Sequence, residues 1–241
     1  MSQNRASMLD RPVAQTFFRY GLPWSAAFLL LSSAGLVDTI FIGRYVGAQA
    51  LAAVNIVSPV FSIFFGMGVM LSVGGTVRSA HHVGRGDLRA ASAVFGRTML
   101  LILLAGLVLA LLSLLFRPLL LTLLGADGDV MRPAYQYLTT ILLFSPVLPA
   151  SYALSQFARV DQHPTLASLG LILSAAVNIF LDYLFIARFG WGVPGAALGT
   201  ALSNVVGGLL ALALLLFRDG VLCIRRPGSW RITKACLQNL W

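Results

Sequence analysis

Six runs of this chain, residues 20–41, 51–73, 98–116, 134–157, 166–187 and 193–217, contain between them only two charged side chains. Each is about as long as an α-helix must be to cross about 30 Å of hydrocarbon at roughly 1.5 Å per residue. Lipid offers no partner to a backbone amide, so a spanning segment must satisfy its own hydrogen bonds, and runs of this length do so as helices. The whole chain is 10% charged, against about 25% in soluble domains. The expected fold is therefore an all-α integral membrane protein. Six transmembrane helices form one bundle over residues 20–217, between a segment at 1–19 and a basic tail or linker at 218–241.

The formal net charge is +9, which by itself would suit nucleic acid. Its distribution argues against that. Thirteen of the seventeen basic residues fall in the N-terminal segment, the second loop, the fourth loop and the tail, and four (Arg44, Arg117, Arg132 and Arg188) fall in the loops between. The positive-inside rule then places both termini in the cytoplasm of a multi-pass protein in the cytoplasmic (inner) membrane, with lipid rather than nucleic acid as its partner. The first run is long, lacks a clear A-x-A site and is followed by five more, so it reads as an uncleaved helix rather than a secretory signal. Cys223 and Cys236 lie in the tail, where thiols stay reduced, and no disulfide or zinc spacing is present.

The two charges within the runs are Asp38 and Asp182, and they occur in the same phrase: Asp38-Thr-Ile-Phe-Ile-Gly-Arg44 and Asp182-Tyr-Leu-Phe-Ile-Ala-Arg188. Both sit late in helices running outward, and after each comes a glycine-containing turn and an alanine-rich helix start. This is the pattern of a parallel internal repeat. A carboxylate inside a membrane helix costs about 2.5–3.5 kcal/mol on insertion scales, so two placed alike point to function. Asn178 is four residues before Asp182 and shares its helix face. Amide and carboxylate oxygens suit a hard cation such as Na⁺, or equally a proton. The plain alternatives are carboxylates reaching outer water, Asp38 pairing with Arg44, and Asn178 bonding a neighbouring helix.

Other features carry less. Gly195, Gly199, Ser203 and Gly207, four apart, form a small-residue stripe that reads as close packing, with the Thr200 hydroxyl beside it. Pro23, Pro59, Pro146 and Pro149 each free a carbonyl and permit a bend. His81-His82 reads as solvated on the second loop (Arg78 to Arg97), where Gly84 and Gly86 mark a turn. Gly66-Met-Gly68 to Gly74-Gly75 has no Walker lysine, so it is not a nucleotide loop. Phe61, Phe64, Phe65, Met67 and Met70 suit helix packing or lipid contact, or the lining of an apolar pocket. There is no nucleophile–base pair and no glutamate, so nothing supports an enzyme, and no cofactor is implied.

At Val37-Asp-Thr-Ile-Phe-Ile-Gly-Arg-Tyr-Val-Gly-Ala-Gln-Ala-Leu-Ala-Ala-Val-Asn55, Asn178-Ile-Phe-Leu-Asp-Tyr-Leu-Phe-Ile186 and Gly190-Trp-Gly-Val-Pro-Gly-Ala-Ala-Leu-Gly-Thr200, the chain resembles the multidrug and toxic compound extrusion (MATE) family. The resemblance covers about residues 12–217. It implies one six-helix lobe, the amino-terminal one, of a twelve-helix antiporter that exports cationic, amphiphilic compounds in exchange for H⁺ or Na⁺. It carries the coupling site onto Asp38, Asn178, Asp182 and Thr200, which would hold the proton or Na⁺, and places a helix-1 bend at Pro23. The second lobe would come from a missing carboxy-terminal half or from a homodimer partner, since six spans leave two copies in the same orientation. Two alternatives stand beside this. One is a lipid-linked oligosaccharide flippase of a related branch, which a basic cavity would favour. The other is a truncated or assembly membrane protein that transports nothing.

Overall fold

The computed structural model describes residues 13–160 and 164–217, and they fold as helices joined by short turns. The order is α1 (Val13–Phe41), a π-helical turn (Ile42–Val46), α2 (Ala48–Gly84), α3 (Leu88–Leu115), α4 (Arg117–Leu123), α5 (Gly128–Phe144), α6 (Val147–Val160), α7 (Pro164–Asp182), a second π-helical turn (Tyr183–Arg188) and α8 (Gly192–Phe217). Among the described residues four segments are long and apolar enough to cross a membrane: Ala48–Gly84, Leu88–Leu115, Ser168–Arg188 and Gly192–Ala213. The pair α5 and α6 makes a fifth if the two are one broken span. The first expected span falls in α1, a helix of 29 residues. The tail with Cys223 and Cys236, and the N-terminal Arg5 and Arg11, lie outside the described residues.

Two expectations need correction. The second loop is not a twenty-residue polar stretch. Helix α2 has 37 residues, roughly 55 Å at 1.5 Å each. That exceeds the hydrocarbon thickness, so its end projects beyond the apolar layer and stays helical there. Only residues 85–87 turn, with Gly86 at φ +78°. Asp87 caps α3 by accepting from the Ala90 amide at 3.0 Å. The fourth span is not one helix either. It breaks between Phe144 and Val147 with a bend of 46°. Pro146 stands at the break, and proline cannot donate to the carbonyl one turn earlier. The freed Leu142 carbonyl accepts instead from the Ser145 hydroxyl, 2.9 Å away.

Size, not polarity, selects the inner faces. On α2 the buried positions are Ala50, Ala53, Val57, Val60, Phe64, Gly68, Ser72, Gly75 and Ser79, spaced three or four residues apart along one stripe. Met70, by contrast, is 68% exposed. Helix α3 buries Ala91, Phe95, Thr98, Ile102, Gly106 and Ala110, while Leu100, Leu104, Leu107 and Leu111 face outward. Lipid tails are as apolar as leucine, so helices associate through close packing of small residues. Gly68 against Pro149 and Gly75 against Thr98 leave no room for a Cβ. These glycines serve helix approach, as their place in an apolar span suggested.

Among the described residues three apolar clusters fill the bundle. The largest joins α2 and α5 to Ile42, Ile186 and the start of α8. A second, around Phe95 and Phe157 at 4.8 Å edge to face, ties α3 to α6 and α8, and a third joins Ile102 to Ala150 and Ala153. Helix α1 packs mainly on α7 and hardly on α2. The gap left between α1 and α2 positions the site.

Candidate functional site

The internal echo has a structural counterpart. Asp38 and Asp182 each lie in the last turn of a helix that passes into a π-helical turn. Within the turns Ile42 and Ile186 hold equivalent places, both are buried, and both join the same apolar cluster. Arg44 and Arg188, two residues further on, are exposed in each copy. Glycine at positive φ follows each turn, Gly47 at φ +117° directly after the first and Gly190 and Gly192 at +66° and +60° shortly after the second. The two turns pack against each other. Their buried isoleucines fix the ends of α1 and α7 and so set where the two carboxylates stand.

Asp38 borders a cavity of about 280 Å³ between α1, α2, α5, α7 and α8. Helix α1 contributes Ala34, Gly35 and Asp38; α7 contributes Ser174 and Asn178; α8 contributes Thr200, Ser203 and Asn204. Phe61 and Phe65 of α2 form the opposite wall, and Tyr137 comes from α5. Of the four residues in the expected coupling set, Asp38, Asn178 and Thr200 line the cavity. Asp182 does not; it is 0% exposed and lies behind the lining, against Gly199. It therefore does not reach outer water from this chain. Asn178, 8% exposed, stands one turn before it on the same helix.

Neither Asp182 carboxylate oxygen has a hydrogen-bond partner among the described residues, nor has Asp38 Oδ1. A buried carboxylate without partners is costly unless it meets a proton or a cation. The two carboxylates lie within electrostatic reach of each other and of the Tyr137 phenol. The expected alternative pairing of Asp38 with Arg44 has no support in the geometry, since Arg44 is exposed in the π-helical turn. Gly35 opens towards the cavity, with nothing within 4 Å of a Cβ placed there. Ala34, beside it, is packed. Oxygen atoms from Asp38, Asn178, Asp182 and Thr200 are a donor set that fits a hard cation. Helix α1 is continuous through position 23, and the Pro23 side chain lies outside the described residues.

The small-residue stripe of α8 packs as expected: Gly207 approaches Ser174, and Gly195 approaches Phe185 and Trp191. Sequence reasoning missed Tyr137, Ser174 and Asn204. Ser174 was legible in principle, four residues before Asn178 on the same face. Tyr137 lies on another helix with no local signal. The aromatic run divides: Phe61 and Phe65 line the cavity, Phe64 is core, and Met70 faces outward. Among the described residues no cluster of three His, Cys, Asp or Glu side chains could hold a metal, the His81-His82 pair included.

Comparison with known proteins places these observations. Residues 23–184 match the MatE family model. Multidrug export protein MepA of Staphylococcus aureus strain MSSA476 is 29% identical over 213 residues, covering 88% of this chain and 47% of that protein. MepA of Staphylococcus haemolyticus is 27% identical over 232 residues, covering 96% and 51%. The chain thus spans about half the length of these relatives. Among solved structures, a MATE in the straight conformation superposes with a TM-score of 0.80 at 27% identity, over 92% of this chain and 50% of that one. An inward-facing multidrug resistance MATE family transporter of the MOP superfamily gives 0.76 at 29%, over 86% and 48%.

Proposed function

This chain belongs to the MatE family, and we propose that it forms the amino-terminal lobe of an antiporter that exports amphiphilic, often cationic small molecules across the cytoplasmic membrane in exchange for H⁺ or Na⁺. In this reading α1 is the first of six spans, the α5–α6 pair is one broken span, and both termini are cytoplasmic. Residues 1–19 and 218–241 flank the lobe, the latter as tail or linker. The relatives are about twice as long, which supports a second lobe supplied by further chain or by a second copy.

One observation carries the proposal. A fully buried Asp182 has, among the described residues, no partner for either carboxylate oxygen, and it stands behind a cavity lined by Asp38, Asn178 and Thr200. When a proton or Na⁺ enters, these oxygens hold it, and when it leaves, the uncompensated charge favours a different arrangement of α1, with Pro23 as the position of the bend. The ion and the organic cation thereby draw on the same negative charge, which is what exchange requires. The flippase reading is less favoured because a phosphate-bearing lipid would need cationic side chains, and among the described residues no Lys or Arg lines the cavity.

The test is ethidium export from cells expressing the chain with whatever second lobe its gene encodes. Asp38→Asn and Asp182→Asn should each lower export at least tenfold at unchanged membrane abundance. Full export by both variants would refute the coupling role.

A further inference from the structure

The projecting end of α2 and the start of α3 form a hairpin far from the cavity, and its charge has no part in export. Two contacts fix its register: Gly75 packs on Thr98, and the Ser79 hydroxyl donates to the Ala91 carbonyl at 3.2 Å. Arg97, next to Thr98, therefore lies within about a turn of the depth of Arg78. Arg85 is seven residues beyond Arg78, about 10 Å at roughly 1.5 Å per residue. Arg89, two residues before Ala91, falls between the two. All four arginines are exposed. Arg78 and Arg85 share one face of α2, off its buried stripe. Exposed apolar side chains reach up to them, Val77 beside Arg78 and Leu100 and Leu101 one turn from Arg97. The guanidiniums thus begin where lipid-facing surface ends, and they extend through the depth of a headgroup layer, roughly 5–8 Å on each side of a bilayer. Among the described residues of the hairpin the one carboxylate is Asp87, and one of its oxygens already accepts from the Ala90 amide.

We infer that Arg78, Arg85, Arg89 and Arg97 form a docking surface for the phosphates of anionic phospholipids, in the cytoplasmic leaflet if the lobe has the orientation proposed above. The inference goes beyond the export reading and needs only that the chain spans a membrane. Insertion orientation asks only for cations somewhere near the span ends. Here the hairpin register stacks them at phosphate depth, against one partly engaged carboxylate. A guanidinium bonds phosphate oxygens in pairs. A zwitterionic headgroup brings its own ammonium to the same cations and is repelled by them in part. An anionic headgroup brings none, and each basic group near an anionic surface adds attraction.

The experiment is native mass spectrometry of the full chain in detergent with an equimolar mixture of dioleoylphosphatidylglycerol and dioleoylphosphatidylcholine. Detergent removes insertion orientation from the readout. The wild type should carry the anionic lipid at least fivefold over the zwitterionic one, the worth of about one arginine at an anionic surface. Arg78→Gln, Arg85→Gln, Arg89→Gln and Arg97→Gln combined should lower that ratio at least threefold. Arg78→Gln with Arg97→Gln, and Arg85→Gln with Arg89→Gln, should each lower it as well, which guards against a fourfold variant that fails to fold. Arg44→Gln with Arg188→Gln, at the opposite end of the bundle, should leave it within twofold. A wild-type ratio near one, a ratio unchanged in all the hairpin variants, or an equal loss in the Arg44 and Arg188 pair would overturn the docking surface. Displacement of the lipid by an equal concentration of glycerol phosphate would also overturn it, by assigning the arginines to free phosphate. Each of these outcomes leaves the export reading standing.

Discussion

The carboxylate of Asp182 occupies the space that a side chain on Gly199 would need: a Cβ placed on Gly199 lies 2.5 Å from Asp182 Oδ1. The α7–α8 contact is therefore shaped around the acid. Gly199→Ala should destabilise the protein by about 1–3 kcal/mol, the usual cost of overpacking. If the clash is with the carboxylate, that cost should shrink markedly in an Asp182→Ala background, because contacting residues are non-additive. Thermal unfolding in detergent of the two single variants and the double variant measures it. Strict additivity would place the strain elsewhere.

Adjacent glycines on α2 should behave in opposite ways. A methyl placed on Gly74 meets nothing within 4 Å, whereas on Gly75 it would fall 2.9 Å from Thr98 Cβ, a branched atom that cannot swing away. Gly74→Ala should be neutral or stabilise by about 0.5–1 kcal/mol through reduced backbone entropy. Gly75→Ala should destabilise by about 1–3 kcal/mol. Loss of stability in both variants, followed by thermal unfolding of the chain alone, would contradict these helix faces.

Much of the fold and part of the site were legible in the sequence because charge is rare in the spans. A lone Asp38 or Asp182 in an apolar run is conspicuous, and Asn178 follows from helical spacing. What faces what was not legible. In water an inner face is apolar and an outer face polar, but here Leu100 and Leu111 face outward while Ala91 and Gly106 face inward, so hydropathy has no period to follow. The α2 stripe from Ala50 to Ser79 can be read only as a period of small residues, broken by Val57, Val60 and Phe64. Tyr137 reaches the site through a contact between helices that are distant in sequence, and no local pattern announces that. The projection of α2 to Gly84 was missed because polar residues suggested a loop, whereas a helix leaving the membrane also turns polar.

Arg117 ties the start of the short helix α4 to the end of α3 and to α5 through three groups. Nε donates to the Leu114 carbonyl at 3.0 Å, Nη1 donates to Thr139 Oγ1 at 2.9 Å, and the guanidinium lies 4.5 Å from the Tyr135 ring centroid. A lysine ammonium keeps the charge but loses the planar fork that reaches all three. Arg117→Lys should therefore cost about 1 kcal/mol or more, close to the cost of Arg117→Ala. Thr139→Val, which leaves the guanidinium short of an acceptor, should show a related loss. A lysine variant as stable as the wild type in thermal unfolding would reduce Arg117 to a topological charge.

The two π-helical turns give the proposed orientation a direct test. Arg44 and Arg188 are exposed, and the turns pack together at one end of the bundle, whereas Arg85 lies in the turn between α2 and α3. With outward-running first and fifth spans, the paired turns face the outside and Arg85 faces the cytoplasm. In a background with Cys223 and Cys236 replaced by serine, Arg44→Cys and Arg188→Cys should react with a membrane-impermeant maleimide in intact cells. Arg85→Cys should react only after permeabilisation. The reverse pattern would invert the topology and put the carboxylates at the inner mouth of the cavity, where an entering ion would have to cross the bundle before meeting them. Reaction of Arg44→Cys and Arg188→Cys on opposite sides would go further. It would dismantle the repeat, because both turns feed buried isoleucines, Ile42 and Ile186, into one core and so must lie on one side.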